Sequence, residues 1–103
     1  MDEIQDFATK LFDLARDGDA TLLEYISQGV NIDMVNQDGQ SFIMLAAYHG
    51  HAELVRQLAA AGADVNLLND RGQSPLAGAI FKKEDEVISA LLEAHADPTA
   101  GQP

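Results

Sequence analysis

Cysteine is absent from this chain, which excludes a disulfide framework, a thiolate metal site and a cysteine nucleophile. Its absence fits a reducing compartment, and the cytoplasm is the expected location. Basic residues are scarce: 6 Lys and Arg stand against 17 Asp and Glu, for a net charge of −11. Eight acids against two bases fall in residues 1–33, three against one in 34–66, and six against three in 67–103. Such a balance repels phosphate backbones, so nucleic acid is not expected as a direct partner. The acidity suits solubility, and it would also steer a basic protein towards the chain. Long apolar runs are missing too. The opening Met1-Asp-Glu-Ile-Gln-Asp6 is acidic, so neither a secretory signal nor a membrane span is expected.

Catalytic and cofactor constellations are equally scarce. His49-Gly-His51 with Glu53 could be drawn as a metal site. Its spacing is not the i, i+4 arrangement that puts two imidazoles on one helix face, and Gly50 interrupts the helix between them. Asp17-Gly-Asp19 resembles a fragment of a calcium loop but lacks the other ligands and the distal Glu, so turn chemistry explains it better. Ser41 and Ser74 stand where helices begin, with hydroxyls engaged as caps rather than poised for attack. No glycine-flanked nucleophile and no Gly-rich phosphate loop occur. An enzyme is not expected, and neither a metal nor any other cofactor is called for.

What is present is a core-forming composition and a repeat. Hydrophobic residues make up 47% of 103, enough for one small folded domain over residues 1–103. A shift of 33 superimposes Asn36 on Asn69, Gly39 on Gly72, Gln40 on Gln73, Ser41 on Ser74, Ala46 on Ala79, Glu53 on Glu86, Leu58 on Leu91 and Asp64 on Asp97. Ile43/Leu76, Tyr48/Phe81, Leu54/Val87 and Val55/Ile88 are conservative pairs at the same shift. A fixed period of this length marks a stacked repeat architecture.

Each unit reads as two helices and a turn-rich connection. Ser41 caps a helix carrying Ile43, Met44, Ala46 and Ala47, which Gly50 ends. A second helix is expected from about His51 to Ala60, with Leu54, Val55 and Leu58 on one face, and Gly62 stops it. Residues 63–72 form the connection, and Ser74-Pro75 opens the next unit with a cap and a proline at the first helical position.

The run Gly39-Gln-Ser41, Leu45-Ala-Ala47, Gly50-His51, Glu53-Leu-Val55, Leu58 and Gly62-Ala-Asp-Val-Asn66 resembles the ankyrin repeat. Residues 69–99 keep Ser74-Pro75-Leu76 but have Lys83 for Gly50 and His95 for Gly62. The first unit keeps Leu14-Ala15, Leu22-Leu23, Ile26 and Gly29-Val-Asn-Ile-Asp33; Gly18 and Gly29 are 11 apart, against 12 for Gly50 and Gly62, so a residue is missing from its second helix or exit turn. The resemblance implies an all-α solenoid of three units, about 3–35, 36–68 and 69–101, joined by β-hairpin-like turns. The family's His of the Thr-Pro-Leu-His tetrapeptide is Met44 in one unit and Ala77 in the next, a loss of bracing that implies lower stability. His51 stands where the motif has a structural His, and His95 must adopt a left-handed backbone. Asn66 resembles the site at which ankyrin repeats serve as substrates of an asparagine β-hydroxylase; the preferred reading is that it holds its turn by side-chain to backbone hydrogen bonds.

Both ends of a stack need a cap. A first helix from about Asp2 to Arg16 carries Ile4, Phe7, Ala8, Leu11, Phe12, Leu14 and Ala15 as one apolar stripe, a suitable N-terminal cap. Val87, Ile88, Leu91 and Leu92 look like an internal helix; the tail Pro98–Pro103 packs back, precedes further repeats, or meets a partner.

The resemblance implies non-catalytic recognition of another protein on the concave side. Its contact positions map to Val35, Gln37, Asp38, Gln40, Leu68, Asp70, Arg71 and Gln73 at the turn tips, and Tyr48, His49, Phe81 and Lys82 on the first helices. The alternative is a structural role, as a cap or fragment of a larger array or as an accessory subunit that stabilises an enzyme. A monomer is expected unless the C-terminal face self-associates.

Overall fold

The computed structural model describes residues 3–101. Six helices account for its regular structure: α1 (Glu3–Asp17), α2 (Thr21–Ser27), α3 (Phe42–Tyr48), α4 (Ala52–Ala60), α5 (Pro75–Lys82) and α6 (Asp85–Glu93). Helices α1, α3 and α5 lie side by side as an inner row, while α4 and α6 pack together as an outer row behind α3 and α5, and α2 backs α1. The result is an elongated body of 38 × 25 × 19 Å.

The caps fall where the serines are. Ser41 Oγ accepts the Met44 N–H at 3.3 Å and Ser74 Oγ accepts the Ala77 N–H at 3.1 Å, so each hydroxyl satisfies an orphan donor of the first turn. Alanine at 46, 47 and 79, all fully buried, keeps the inner helices close enough to seat Phe42, Ile43, Leu45 and Leu76 between the rows. Leu54, Val55 and Leu58 of α4, with Val87, Ala90 and Leu91 of α6, close the core from outside. In the first helix pair, α2 has 7 residues where α4 and α6 have 9, so the shortening falls in the second helix.

The structure moves several boundaries. The first helix runs to Asp17, and Asp2 lies outside the described residues. His51 precedes α4 as its cap residue rather than opening the helix. Its imidazole reaches back instead, with Nε2 2.6 Å from the Arg16 carbonyl oxygen. The ring covers Gly18, whose backbone is left-handed at φ +71 and whose missing Cβ would fall 2.5 Å from His51 Cγ. Thirty-three residues on, Glu84 occupies the position of His51, and its carboxylate oxygens lie 3.0 Å from where a Cβ on Gly50 would be. A carboxylate cannot donate to a carbonyl. On the outer row, Arg56 joins α4 to α6 through Glu93 at 3.4 Å and Glu86 at 3.7 Å, exposed pairs that stabilise little.

The N-terminal stripe is narrower than its pattern. Leu11, Phe12 and Ala15 are buried, but Ile4 is 77% exposed. Phe7 is also exposed and meets Tyr25 of α2 edge-on, with centroids 5.5 Å apart. The stripe outruns the α3 surface that it covers, because α1 is 15 residues long and α3 only 7. At the other end Leu92 is exposed rather than internal, and so is Ile80. Residues 98–101 turn back beside α5, and a Cβ on Gly101 would lie 2.6 Å from the Gly72 carbonyl oxygen.

Lys83 and His95 both adopt the left-handed conformation, with φ of 58 and 68. They stand where Gly50 and Gly62 stand one unit earlier. A Cβ at such a position costs about 1–2 kcal/mol relative to the right-handed form, so the third unit carries strain that the second avoids.

Candidate partner-binding face

The connections before α3 and α5 are two copies of one hydrogen-bonded loop. Asn36 Oδ1 accepts the N–H groups of Asp38 (2.9 Å) and Gln40 (3.0 Å), while the Asn36 N–H donates to the Gln40 carbonyl at 3.0 Å. Asn69 repeats this with the N–H groups of Arg71 (2.9 Å) and Gln73 (3.0 Å) and with the Gln73 carbonyl at 3.0 Å. Asparagine suits the place because its amide oxygen mimics a backbone acceptor across a tight turn. A single antiparallel bridge, Val35 to Ser41, gives the first loop its hairpin character. The tips are tied together by the Asp70 N–H donating to the Asp38 carbonyl at 3.1 Å. Glycine at 39 permits that approach, since a Cβ there would lie 2.8 Å from the Asp70 nitrogen.

This architecture sorts the expected contact residues. Gln37, Asp38, Asp70 and Arg71 project at the tips and are exposed. Gln40 and Gln73 are half-buried, and their side-chain oxygens accept the Asn36 and Asn69 amides at 3.2 and 3.0 Å. Those two glutamines therefore brace the loops from inside. Val35 is exposed and borders a notch of about 450 Å³ against Thr9 and Phe12 of α1. Leu68 is exposed but lies beside the returning tail, with Cδ2 2.8 Å from where a Gly101 Cβ would fall.

Between α3 and α5 runs a groove of about 480 Å³. Its walls are Tyr48 and Phe81, which are 38% and 77% exposed. Met44, Ala77 and Gly78 form its floor, and Gln40, Gln73 and Arg71 its lip. Gly78 is unusual in the middle of a helix, where it is destabilising by about 1 kcal/mol against Ala. A Cβ there would meet Tyr48 Cδ1 at 3.6 Å, so the groove is wider for its absence. Lys82 Nζ sits 4.9 Å from the Tyr48 ring centroid, a cation–π contact that holds the phenol ring at the rim. His49 stacks edge-on to Tyr48 with centroids 5.5 Å apart. The sequence pattern marked the walls but missed the floor: Met44 and Ala77 read as lost braces and Gly78 as nothing. The 33-residue shift pairs Leu45 with Gly78, a large-to-nothing change that is the available signal.

Charge on this face differs from that of the whole chain. Among the twelve expected contact residues, Asp38 and Asp70 oppose Arg71 and Lys82, and the groove lining contains no carboxylate. Asp38 and Asp70 line the adjoining notch with Arg71, and most other acids lie elsewhere, above all on α1 and in the first turn of α6.

Several other polar residues hold the fold together. The Asp19 carboxylate accepts the Thr21 N–H at 2.9 Å, a bond that holds its pKa below the usual carboxylate value. Hydrogen bonds from the Thr99 hydroxyl and N–H do the same for Asp97. Burial lowers the His49 pKa, with smaller effects from the nearby His51, Arg16 and Lys82. Asp33 Oδ1 accepts the Asp64 N–H and Asn66 Oδ1 accepts the Asp97 N–H, each at 2.8 Å. The Asn66 side chain thus bonds the next unit rather than its own turn. Its equivalence to Asp33 makes the pair a ladder that ties successive connections together.

Among the described residues, no helix is long and apolar enough to cross a membrane. A curated relative from Pseudomonas aeruginosa, named as an ankyrin repeat protein, is 49% identical over 55 residues. That match takes in 52% of this chain and 32% of the relative, so the chain spans about a third of the relative's length. The family model for ankyrin repeats, in three copies, matches residues 11–102. With paired helices, capping serines and asparagine-braced loops in the same order, the chain belongs to the ankyrin repeat family.

Proposed function

We propose that this chain is a non-catalytic recognition module that binds another protein across the inner helices and loop tips. Ankyrin repeats are generally protein–protein interaction modules and are typically non-catalytic. The observation that carries the reading is the open groove between α3 and α5, with two aromatic side chains at equivalent positions exposed on its walls. An aromatic held rigidly at the rim of an apolar groove concentrates binding energy, on the order of 2 kcal/mol or more for a central anchor. Solvent exposure of Phe81 means that it contributes little to the fold, so its apolar surface is available. Val35, Gln37, Asp38, Leu68, Asp70 and Arg71 extend the contact along the tips, while Gln40 and Gln73 act by holding those tips in place. The reading treats residues 1–103 as one cytoplasmic, monomeric domain of three units, about 3–35, 36–68 and 69–101.

A second reading has its own observation. Ile80 and Leu92 expose apolar surface at the α5–α6 end, where a further helical pair or an enzyme stabilised by this subunit would stack. Cross-linking in the native cell, followed by pull-down with wild type and the Tyr48→Ala/Phe81→Ala variant, separates the two. Loss of the captured protein by the double variant, with capture kept by Ile80→Asp/Leu92→Asp, supports the groove. Capture that survives it but fails in Ile80→Asp/Leu92→Asp moves the interface to the end of the stack.

A further inference from the structure

We infer that the α3–α5 groove takes an extended acidic–apolar segment of the partner, with a large apolar side chain between Tyr48 and Phe81 and a carboxylate on Arg71. This rests on the recognition reading above and specifies the chemistry of its ligand. The chain carries 17 acids, yet none lines the groove, whose only charged lining residue is Arg71. Among the described residues, ion pairs within 4.0 Å engage Arg16 and Arg56 but not Arg71. The Arg71 N–H is fixed by Asn69 at 2.9 Å, so the loop presents the guanidinium from a braced backbone. Lys82 adds a second cation over the Tyr48 rim. A fork of guanidinium donors beside an apolar slot matches a carboxylate next to a hydrophobic residue.

The floor favours a large side chain. Ala77 and Gly78 carry little or no side chain and so leave the floor low, and Met44 supplies an adaptable sulfur-containing surface. A basic segment, which the net charge alone suggests, would set its cations against Arg71 inside the groove, while Asp38 and Asp70 line the notch on the other side of Arg71. Local charge governs register and partner choice once the surfaces meet, while the net field mainly affects the rate of encounter.

The test uses the intact chain and a displayed library of random peptides of about twelve residues, a length that spans such a groove. The best synthetic peptide is then measured by fluorescence anisotropy against wild type, Arg71→Glu and Tyr48→Ala/Phe81→Ala. Enriched peptides are expected to place Asp or Glu next to Leu, Met or Phe. Arg71→Glu should weaken binding by at least about tenfold, on the order of 1.4 kcal/mol, and a Lys-for-acid peptide should recover on that variant. Both variants alter exposed side chains, and an unchanged urea midpoint verifies that they fold. Basic or neutral peptides that need Tyr48 and Phe81 but tolerate Arg71→Glu overturn the acidic ligand and leave protein recognition standing. Peptides indifferent to Tyr48 and Phe81, or no enrichment over an unrelated control, count against both.

Discussion

Gly18 and His51 form a coupled pair whose removal in turn should expose the device that fastens the first unit to the second. In Gly18→Ala two penalties arise. The left-handed backbone at φ +71 costs an L-residue about 1–2 kcal/mol. The new methyl also collides with the imidazole, 2.5 Å from Cγ, and must drive it off the Arg16 carbonyl. Losing that hydrogen bond costs about 1 kcal/mol, so the single variant should lose about 2–3 kcal/mol in all. His51→Ala loses the bond and some ring packing, about 1–2 kcal/mol. In the double variant the collision has no target, and the sum of the single losses should exceed the measured loss by about 1 kcal/mol. Urea denaturation followed by circular dichroism, with all four proteins at one pH, measures this directly. Strict additivity within about 0.3 kcal/mol would refute the proposed brace.

Other consequences are simpler. Lys83→Gly and His95→Gly should each stabilise by about 0.5–1 kcal/mol, since removal of left-handed strain exceeds the added unfolded-state entropy; an unchanged or lower urea midpoint for both would contradict the strain assigned to them. Gly78→Ala should raise the midpoint by about 0.5–1 kcal/mol in stability, the new methyl meeting Tyr48 at ordinary van der Waals distance, while narrowing the groove and weakening peptide binding. His49 has a lowered folded pKa, so stability should fall slightly as pH drops through the ordinary histidine value of 6.5 and level off below the folded value. The dip is small because His49 is largely exposed, and it should vanish in His49→Gln when melting is compared at pH 7.5 and 5.5. Hydrogen exchange should find α5–α6 opening before α3–α4, given the two strained termini and Glu84 in place of a bonding histidine. Greater protection in α6 than in α4 would reverse that order.

Much of the architecture was legible because the 33-residue period, the capping serines and the glycine stops all act locally. Ser41 and Ser74 cap as their positions imply, and His95 takes the left-handed form its place in the repeat demands. The aromatic walls could be read as well, since Tyr48 and Phe81 are equivalent under the shift. Ile4 and Phe7 misled: helical periodicity says which face is apolar, not how far the neighbouring helix extends to cover it. Asn66 was read as a local turn residue, but its acceptor serves a backbone N–H 31 residues away, a distance at which sequence spacing carries no hydrogen-bond information. The charge of the groove was hidden for a related reason. Net charge is a property of the chain, whereas the absence of carboxylates from the groove depends on which side chains the stack brings together.

The central claim, that recognition occurs on the inner face, is tested most directly by amide chemical-shift mapping of the labelled chain during titration with its cross-linked partner or the selected peptide. Shifts concentrated at residues 35–40, 68–73, Met44, Tyr48 and 77–82, with α4 and α6 quiet, are the predicted result. Perturbations centred on the outer helices, with Tyr48 and Phe81 unmoved, would contradict it.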